Sequence, residues 1–479
     1  MTVREAMKGR TIEWILLILL LLFSVLTVSY RDMMETNYNS ALFLDTLFSR
    51  DFFRMSEIFS NDPYSITFKF VYAIGFFPVW ICGKIVGNPN FPESAFAIIW
   101  MKFVLVLFLS GIVYEMDCIA RELKFDRSKR KEMVFFFLSS LFVFLPVFQV
   151  GQYDVICLFF IVCGIRYCIE GKKCFLIFFA IAAPMKYFAF FVFIPLVLLT
   201  TKNILKICVE YIAGLSVVVF EKIFFGIIGP KIYSLLFLSS SVSSVSGSQD
   251  NTSAGAEFVS NQLQFLLKNK IKIGDAEASI FVLAFAVICI IAFSMKVPKH
   301  KEPRAIVTIS FFSYLVFFLF SYSWNSYWIV LIAPFFILLV FEYDNNIVFN
   351  IIMEMIISGG VVIGKMIHQG WVFGGGLSFS KTLLASVPQR NIQVLYLLEK
   401  YKIVKYYSVF YGITIACVLG FVGVIIAELF REKGIINTNQ QKEVIDKNRD
   451  VKIGRFWYWA RLLIIILFIL AEVQCEFIE

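Results

Sequence analysis

The sequence predicts an all-α protein that crosses a membrane many times. Of its 479 residues 59% are hydrophobic, and mean hydropathy is +0.80, far above an ordinary soluble domain. Apolar runs of about 18–25 residues recur along the whole chain, the length that crosses a hydrocarbon core. No stretch in the middle has the mixed composition of an independent soluble domain. The net charge of +9 then reports basic cytoplasmic loops rather than a nucleic-acid partner. The reading is a polytopic integral membrane protein with about thirteen transmembrane helices, surrounded by membrane lipids.

The elements follow in order. Arg4, Lys8 and Arg10 make the N-terminal tail cytoplasmic. The first span, Ile15 to Val28, lacks a small-x-small cleavage pattern after it and is read as retained. It delivers Ser29 to Glu35 to the outer face and opens the first outer loop, residues 29–94. Within that loop Asn39 to Ser60 is amphipathic, too charged to span and suited to a helix at the interface.

Ile66–Val86 has the hydropathy of a span, but parity argues against it. Residues 121–131 hold Arg121, Lys124, Arg127, Lys129, Arg130 and Lys131, the densest short basic loop, and belong inside. If Ile66–Val86 crossed, the next helix, Ala95 to Ala120, would place that loop outside. Ile66–Val86 is therefore expected to lie along the outer surface.

Met133–Phe148 then goes out to Gly151-Gln152-Tyr153-Asp154, and Val155–Cys168 returns. Cys174–Lys186 and Tyr187–Leu199 form a hairpin with Pro184-Met185-Lys186 at its apex. Each arm has about 13 residues, too short for a straight crossing, and is expected to line a cavity. Ile207–Ile228 leads to a long outer loop, 229–279, with a sequon at Asn251. Spans follow at Ile280–Val297, Ala305–Phe320, Trp328–Phe341 and Val348–Ile367. A second long outer loop, 369–406, holds Gly374-Gly375-Gly376. Ser408–Phe430 returns to a cytoplasmic segment, 431–455, and Phe456–Val473 is the last span. In domain terms this is one transmembrane module, 1–228, followed by a second, 229–479. The ten cysteines show no CxxC and no disulfide framework. No inverted repeat of the transporter kind is visible.

Polar residues at span ends are the candidate chemistry. Asp32 follows the first span, Gln152 and Asp154 follow the third, and Lys186 sits at the hairpin apex, all on the outer side. A carboxylate takes a proton from an attacking hydroxyl, and an ammonium neutralises a leaving phosphate. Each has a plainer reading. Asp32 is also a charge flanking a span, with Glu35 and Asp45 as rivals. Asp154 is also a favoured helix cap, and Lys186 a snorkelling lysine. Lys102 is also a buried partner of an acidic residue. Glu354 is an intramembrane carboxylate with no partner evident in sequence. Glu221 and Lys222, adjacent in sequence, point to different faces and need not pair.

The pattern Gly151-Gln152-Tyr153-Asp154, about thirty residues, then Ala183-Pro184-Met185-Lys186-Tyr187 with Pro195 beyond, resembles the Gly-Gln-x-Asp…Lys pattern of mannosyltransferase-like membrane proteins. These are relatives of the second GPI mannosyltransferase, in the broad GT-C glycosyltransferase class. Asp32 soon after the first span, interfacial helices, and Lys102 near the outer end of the next span are similar to that class too. The likeness is best from Asp32 to Leu199. Where similar proteins carry His-Glu-Arg-Tyr before a Pro-containing span, this chain has Trp324-Asn325-Ser326-Tyr327 and then Pro334. Tyr327 and the proline match; the His, Glu and Arg do not.

The resemblance implies a GT-C-like fold and an inverting transferase with a polyisoprenyl-phosphate sugar as donor. The acceptor would be a lipid-linked glycan, polymer or protein on the outer face. It implies Asp32 as base, Lys186 at the donor phosphate, and Gln152, Asp154, Lys102 and Tyr327 shaping the site. Some members of the class use a divalent metal and others none, and no ligand spacing decides the matter here. Usage rich in Phe, Ile and Lys points to a bacterial plasma membrane; in a eukaryotic cell the same reading gives the ER membrane. Two rival classes are an O-antigen-type polymerase or ligase, which would use Arg-rich outer loops, and a lipid-linked sugar flippase, which would show symmetric halves.

Overall fold

A computed structural model describes residues 10–49, 65–224, 266–298, 301–322, 324–343, 347–369, 377–378, 391–392, 394–432 and 453–477. The sequon at Asn251 and the glycines at 374–376 lie outside these residues. The chain is all-α, with a few very short strands. In order, the elements are α1 (Thr11–Thr27), β1 (Ser29–Tyr30), α2 (Arg31–Ser49), α3 (Ile66–Val86), α4 (Ala95–Glu122) and α5 (Arg127–Leu138). A break and a π-helical turn (Phe144–Val150) follow, then α6 (Asp154–Ile169), α7 (Phe175–Met185), α8 (Phe188–Thr200) and α9 (Ile204–Ile223). The second half has β2 (Lys270–Ile273), β3 (Ala276–Ser279), α10 (Ile280–Ser294), α11 (Glu302–Phe320), α12 (Ala333–Glu342) and α13 (Ile347–Gln369). It ends with β4 (Leu377–Ser378), β5 (Asn391–Ile392), α14 (Val394–Lys400), α15 (Tyr407–Glu432) and α16 (Arg455–Phe477).

Local sequence explains many of the helix starts. Ser65, Asp126, Asn203 and Ser279 each accept a hydrogen bond from a backbone N–H three residues on, as favoured N-caps do. By length and apolarity six helices among the described residues suffice to cross a membrane: α3, α4, α11, α13, α15 and α16. A seventh is the pair made by α5 and residues 141–150, bent by 54°. The sequence reading of about thirteen also counts shorter helices, among them α1, α7, α8, α10 and α12.

Compactness divides the chain into two units, each drawn from separate stretches of sequence. Unit 1 holds residues 1–31, 120–152 and 326–479; unit 2 holds 32–119 and 153–325. In unit 1 the starts of α1, α5 and α16 are tied together. Arg10 pairs with Glu132, donates to Tyr458 Oη at 2.7 Å and to the Ile453 carbonyl at 3.2 Å, and Arg455 pairs with Glu13. At the other end of α1, β1 pairs with β4, and β4 with β5. The residues just after α1 therefore lie beside β4.

In unit 2, α7 packs between α6 and α9, and α8 against α10 and α11. Close approach sets these contacts. A Cβ on Gly164 of α6 would stand 2.7 Å from the Phe179 ring of α7. The two half-length arms are as the sequence suggests, 11 and 13 residues long with Lys186 and Tyr187 between them. The helix expected at the interface has other bounds. It begins at Arg31, not Asn39, because its early polar residues are satisfied inside the helix and below it. Thr36 and Ser40 hydroxyls bond back to carbonyls four residues earlier, and buried Asn37 reaches the Pro92 carbonyl. Residues 50–60 of the expected amphipathic segment lie outside the described residues.

Candidate functional site

The candidate site is built where α6 begins and α7 ends, in unit 2. Asp154 stands in the first turn of α6 with its side chain fully buried; Lys186 caps the C-terminus of α7. Lys186 Nζ lies 3.4 Å from Asp154 Oδ1. Each charge also meets the favourable end of its own helix dipole, carboxylate at an N-terminus and ammonium at a C-terminus. Asp154 is not the helix cap of the plain sequence reading: Tyr153 holds the N-cap position, no side chain caps this helix, and Asp154 is its first helical residue. The Lys186 side chain keeps 16% of its surface exposed, whereas that of Asp154 is fully enclosed.

Aromatic rings carry the site toward α2. Lys186 Nζ sits 5.5 Å from the centroid of the Tyr153 ring, a cation–π contact. That ring touches Phe68, at 4.9 Å, and Tyr72, at 6.4 Å, both on α3. Tyr72 Oη donates to Asn37 Oδ1 at 2.7 Å. Asn37 lies on α2 five residues after Asp32, about 7.5 Å along the helix axis. A continuous chain of contacts thus runs from Lys186 through Tyr153, Tyr72 and Asn37 to the helix whose first turn holds half-buried Asp32. Lys102, on α4, is completely buried and partnered, as a fully buried lysine must be.

Unit 2 also has an open apolar groove of about 220 Å³ between α2 and α3, lined by Phe43, Leu44, Leu47, Phe48, Phe70 and Phe77 among others. Beside it Asp45 pairs with Lys84 at 2.7 Å and accepts from Trp80 Nε1 at 2.8 Å. Glu221, at the end of α9, accepts from the Thr67 backbone N–H at 2.8 Å and from its hydroxyl, so it caps the start of α3.

Two of the sequence candidates belong to unit 1. Gln152 follows the π turn, and its N–H donates to the Pro146 carbonyl at 2.8 Å. Gly151 between them has φ +71°, a left-handed conformation that only glycine adopts without strain. Tyr327 is buried at the start of a short 3₁₀ helix, Ser326–Leu331, with its ring 6.5 Å from that of Tyr30 in β1.

Sequence reasoning missed the partners. Glu354 is not alone: it pairs with Arg461 of α16 and accepts from Ser140 Oγ at 2.6 Å. Gln149 Nε2 donates to Glu472 Oε2 at 2.7 Å. Tyr153, Tyr72 and Asn37 carried no signal beyond being polar among apolar neighbours. Among the described residues no group of three or more His, Cys, Asp or Glu side chains gathers as a metal site. No family model matches this chain, and no curated protein matches it.

Proposed function

We propose that this chain is a membrane glycosyltransferase of the GT-C kind. It moves a sugar from a polyisoprenyl-phosphate donor to a lipid-linked glycan, polymer or protein on the outer face of the membrane. The observation that carries the reading is Lys186, its side chain partly exposed, paired with buried Asp154 and linked by contacts to the helix of Asp32. In the proposed step an acceptor hydroxyl oxygen attacks the sugar's anomeric carbon while the bond to the donor phosphate oxygen breaks. Asp32 takes the hydroxyl proton, the phosphate leaves with the bonding electrons, and Lys186 neutralises it. Single displacement inverts the anomeric carbon. The open apolar groove between α2 and α3 is suited to part of an isoprenyl chain. Roles for Gln152, Lys102 and Tyr327 rest on the sequence resemblance.

Topology supports the outer face. The ties among Arg10, Glu132 and Tyr458 bring Arg10 and the start of α5 to one end of unit 1. An even number of crossings must then separate Arg10 from Glu132. With α1 and α4 crossing, α3 lies along the surface, although its length and apolarity suffice for a span. Glu221 capping the start of α3 fits this, because α9 is expected to end outside.

The test is incubation of membranes containing the protein with a panel of radiolabelled polyprenyl-phosphate sugars. The expected result is label moved from one donor to a glycan or protein product. Protein-dependent transfer from none of them would end the reading.

A further inference from the structure

We propose that the C-terminal helix α16 is the positioning element for the segment that carries Gln152. It does so by clamping the broken helix at two points, the break and the π turn.

The break comes first. In a continuous helix the Ser140 N–H would bond to the Phe136 carbonyl; here it goes to the Phe137 carbonyl at 3.2 Å. The Phe136 carbonyl is thereby released inside a buried core, where an unmade bond is costly. Arg461 Nη1 of α16 donates to it at 3.0 Å, and the guanidinium lies 4.6 Å from the centre of the Phe136 ring. The same guanidinium pairs with Glu354, whose other oxygen accepts from Ser140 Oγ. Ser140 in turn caps the next short turn by accepting from Phe142 N–H at 3.3 Å. Three elements, α5, α13 and α16, thus meet at the point where the chain bends by 54°.

The second point lies eleven residues further along α16. Eleven residues is close to three whole turns, so Glu472 shares a face with Arg461. Buried Glu472 accepts from Gln149 Nε2 within the π turn. Helix interruptions of this kind are frequent at functional sites. A buried ion pair is a poor source of stability in itself, because desolvation offsets the attraction. What Arg461 and Glu354 do that two apolar side chains would not is to bond a released carbonyl and a capping hydroxyl. That fixes the direction of the chain leading to Gly151 and Gln152. Only the effect on sugar transfer rests on the proposed function; the clamp itself does not.

The experiment uses full-length protein in permeabilised membranes with Gln152→Cys as reporter. A water-soluble maleimide is the probe, read by mass spectrometry on the peptide carrying position 152. Residue 152 is buried, so labelling is expected to be slow in the parent. In Arg461→Met with Glu354→Met, which leaves no unpaired buried charge, it is expected to rise about tenfold or more, as local opening becomes easier. Glu472→Leu is expected to act in the same direction, and Glu472→Gln, which keeps an acceptor, to stay near the parent. Should the double variant fail to accumulate, the Glu472 pair carries the test alone. Unchanged labelling in a folded Glu472→Leu protein overturns the clamp. With native Gln152, transfer should slow through kcat in Glu472→Leu and recover in Glu472→Gln. A parent without transfer activity counts against the proposed function and leaves the labelling result standing.

Discussion

Lys186→Met is expected to destabilise the protein and to abolish donor binding, and a second substitution separates the two effects. The Asp154 side chain is fully buried, and Lys186 is its ion-pair partner at 3.4 Å. Removing one partner of a buried pair costs about 3–5 kcal/mol, because the remaining charge stays desolvated. The start of α6 offsets about 1 kcal/mol of that through its dipole. A net loss of about 3 kcal/mol should show as a lower midpoint in heating of detergent-solubilised protein. Adding Asp154→Asn removes the stranded charge, keeps the shape and should recover most of the midpoint. Donor binding should not recover, because the phosphate then meets no cation. If the double variant binds donor like the parent, Lys186 is only a structural partner.

Asp32→Asn is expected to abolish transfer while leaving the fold and donor binding near normal. Asp32 is half-buried in the first turn of α2. The amide keeps its size and loses the charge, a change worth about 0.5 kcal/mol at a helix N-terminus. A general base contributes about a hundred- to ten-thousand-fold in rate, so loss of activity should far exceed loss of stability. The check is turnover with a transferable donor, beside the heating midpoint and donor binding of the same preparation. Full turnover would move the base elsewhere, with Glu35 the nearest acidic rival in sequence.

What could be read from sequence follows from the range of each signal. The hairpin of α7 and α8 was legible because Pro184-Met185-Lys186 interrupts two short apolar runs, and hydropathy sees such local contrasts. The bend between α5 and the π turn was not. Met133–Phe148 is apolar throughout, and Ser139-Ser140 reads as two small residues within it. The start of α2 was missed because Thr36, Asn37 and Ser40 look like loop until their hydrogen bonds are known. Partners were the hardest part. Glu354 and Arg461 lie 107 positions apart, and Gln149 and Glu472 lie 323 apart. No periodicity in one sequence links such pairs. The two-residue strands at Ser29–Tyr30 and Leu377–Ser378 leave no alternation either.

Everything about the site depends on which side of the membrane the turn at 151–154 occupies, and cysteine labelling of intact cells measures that most directly. Single cysteines at Ser128, beside the start of α5, and at Glu277, in the exposed β3, replace residues in a background without other reactive cysteines. A membrane-impermeant maleimide is expected to label Glu277→Cys and to spare Ser128→Cys until the membrane is permeabilised. Labelling at position 128 but not at 277 in intact cells would contradict the topology, and with it the outer-face site.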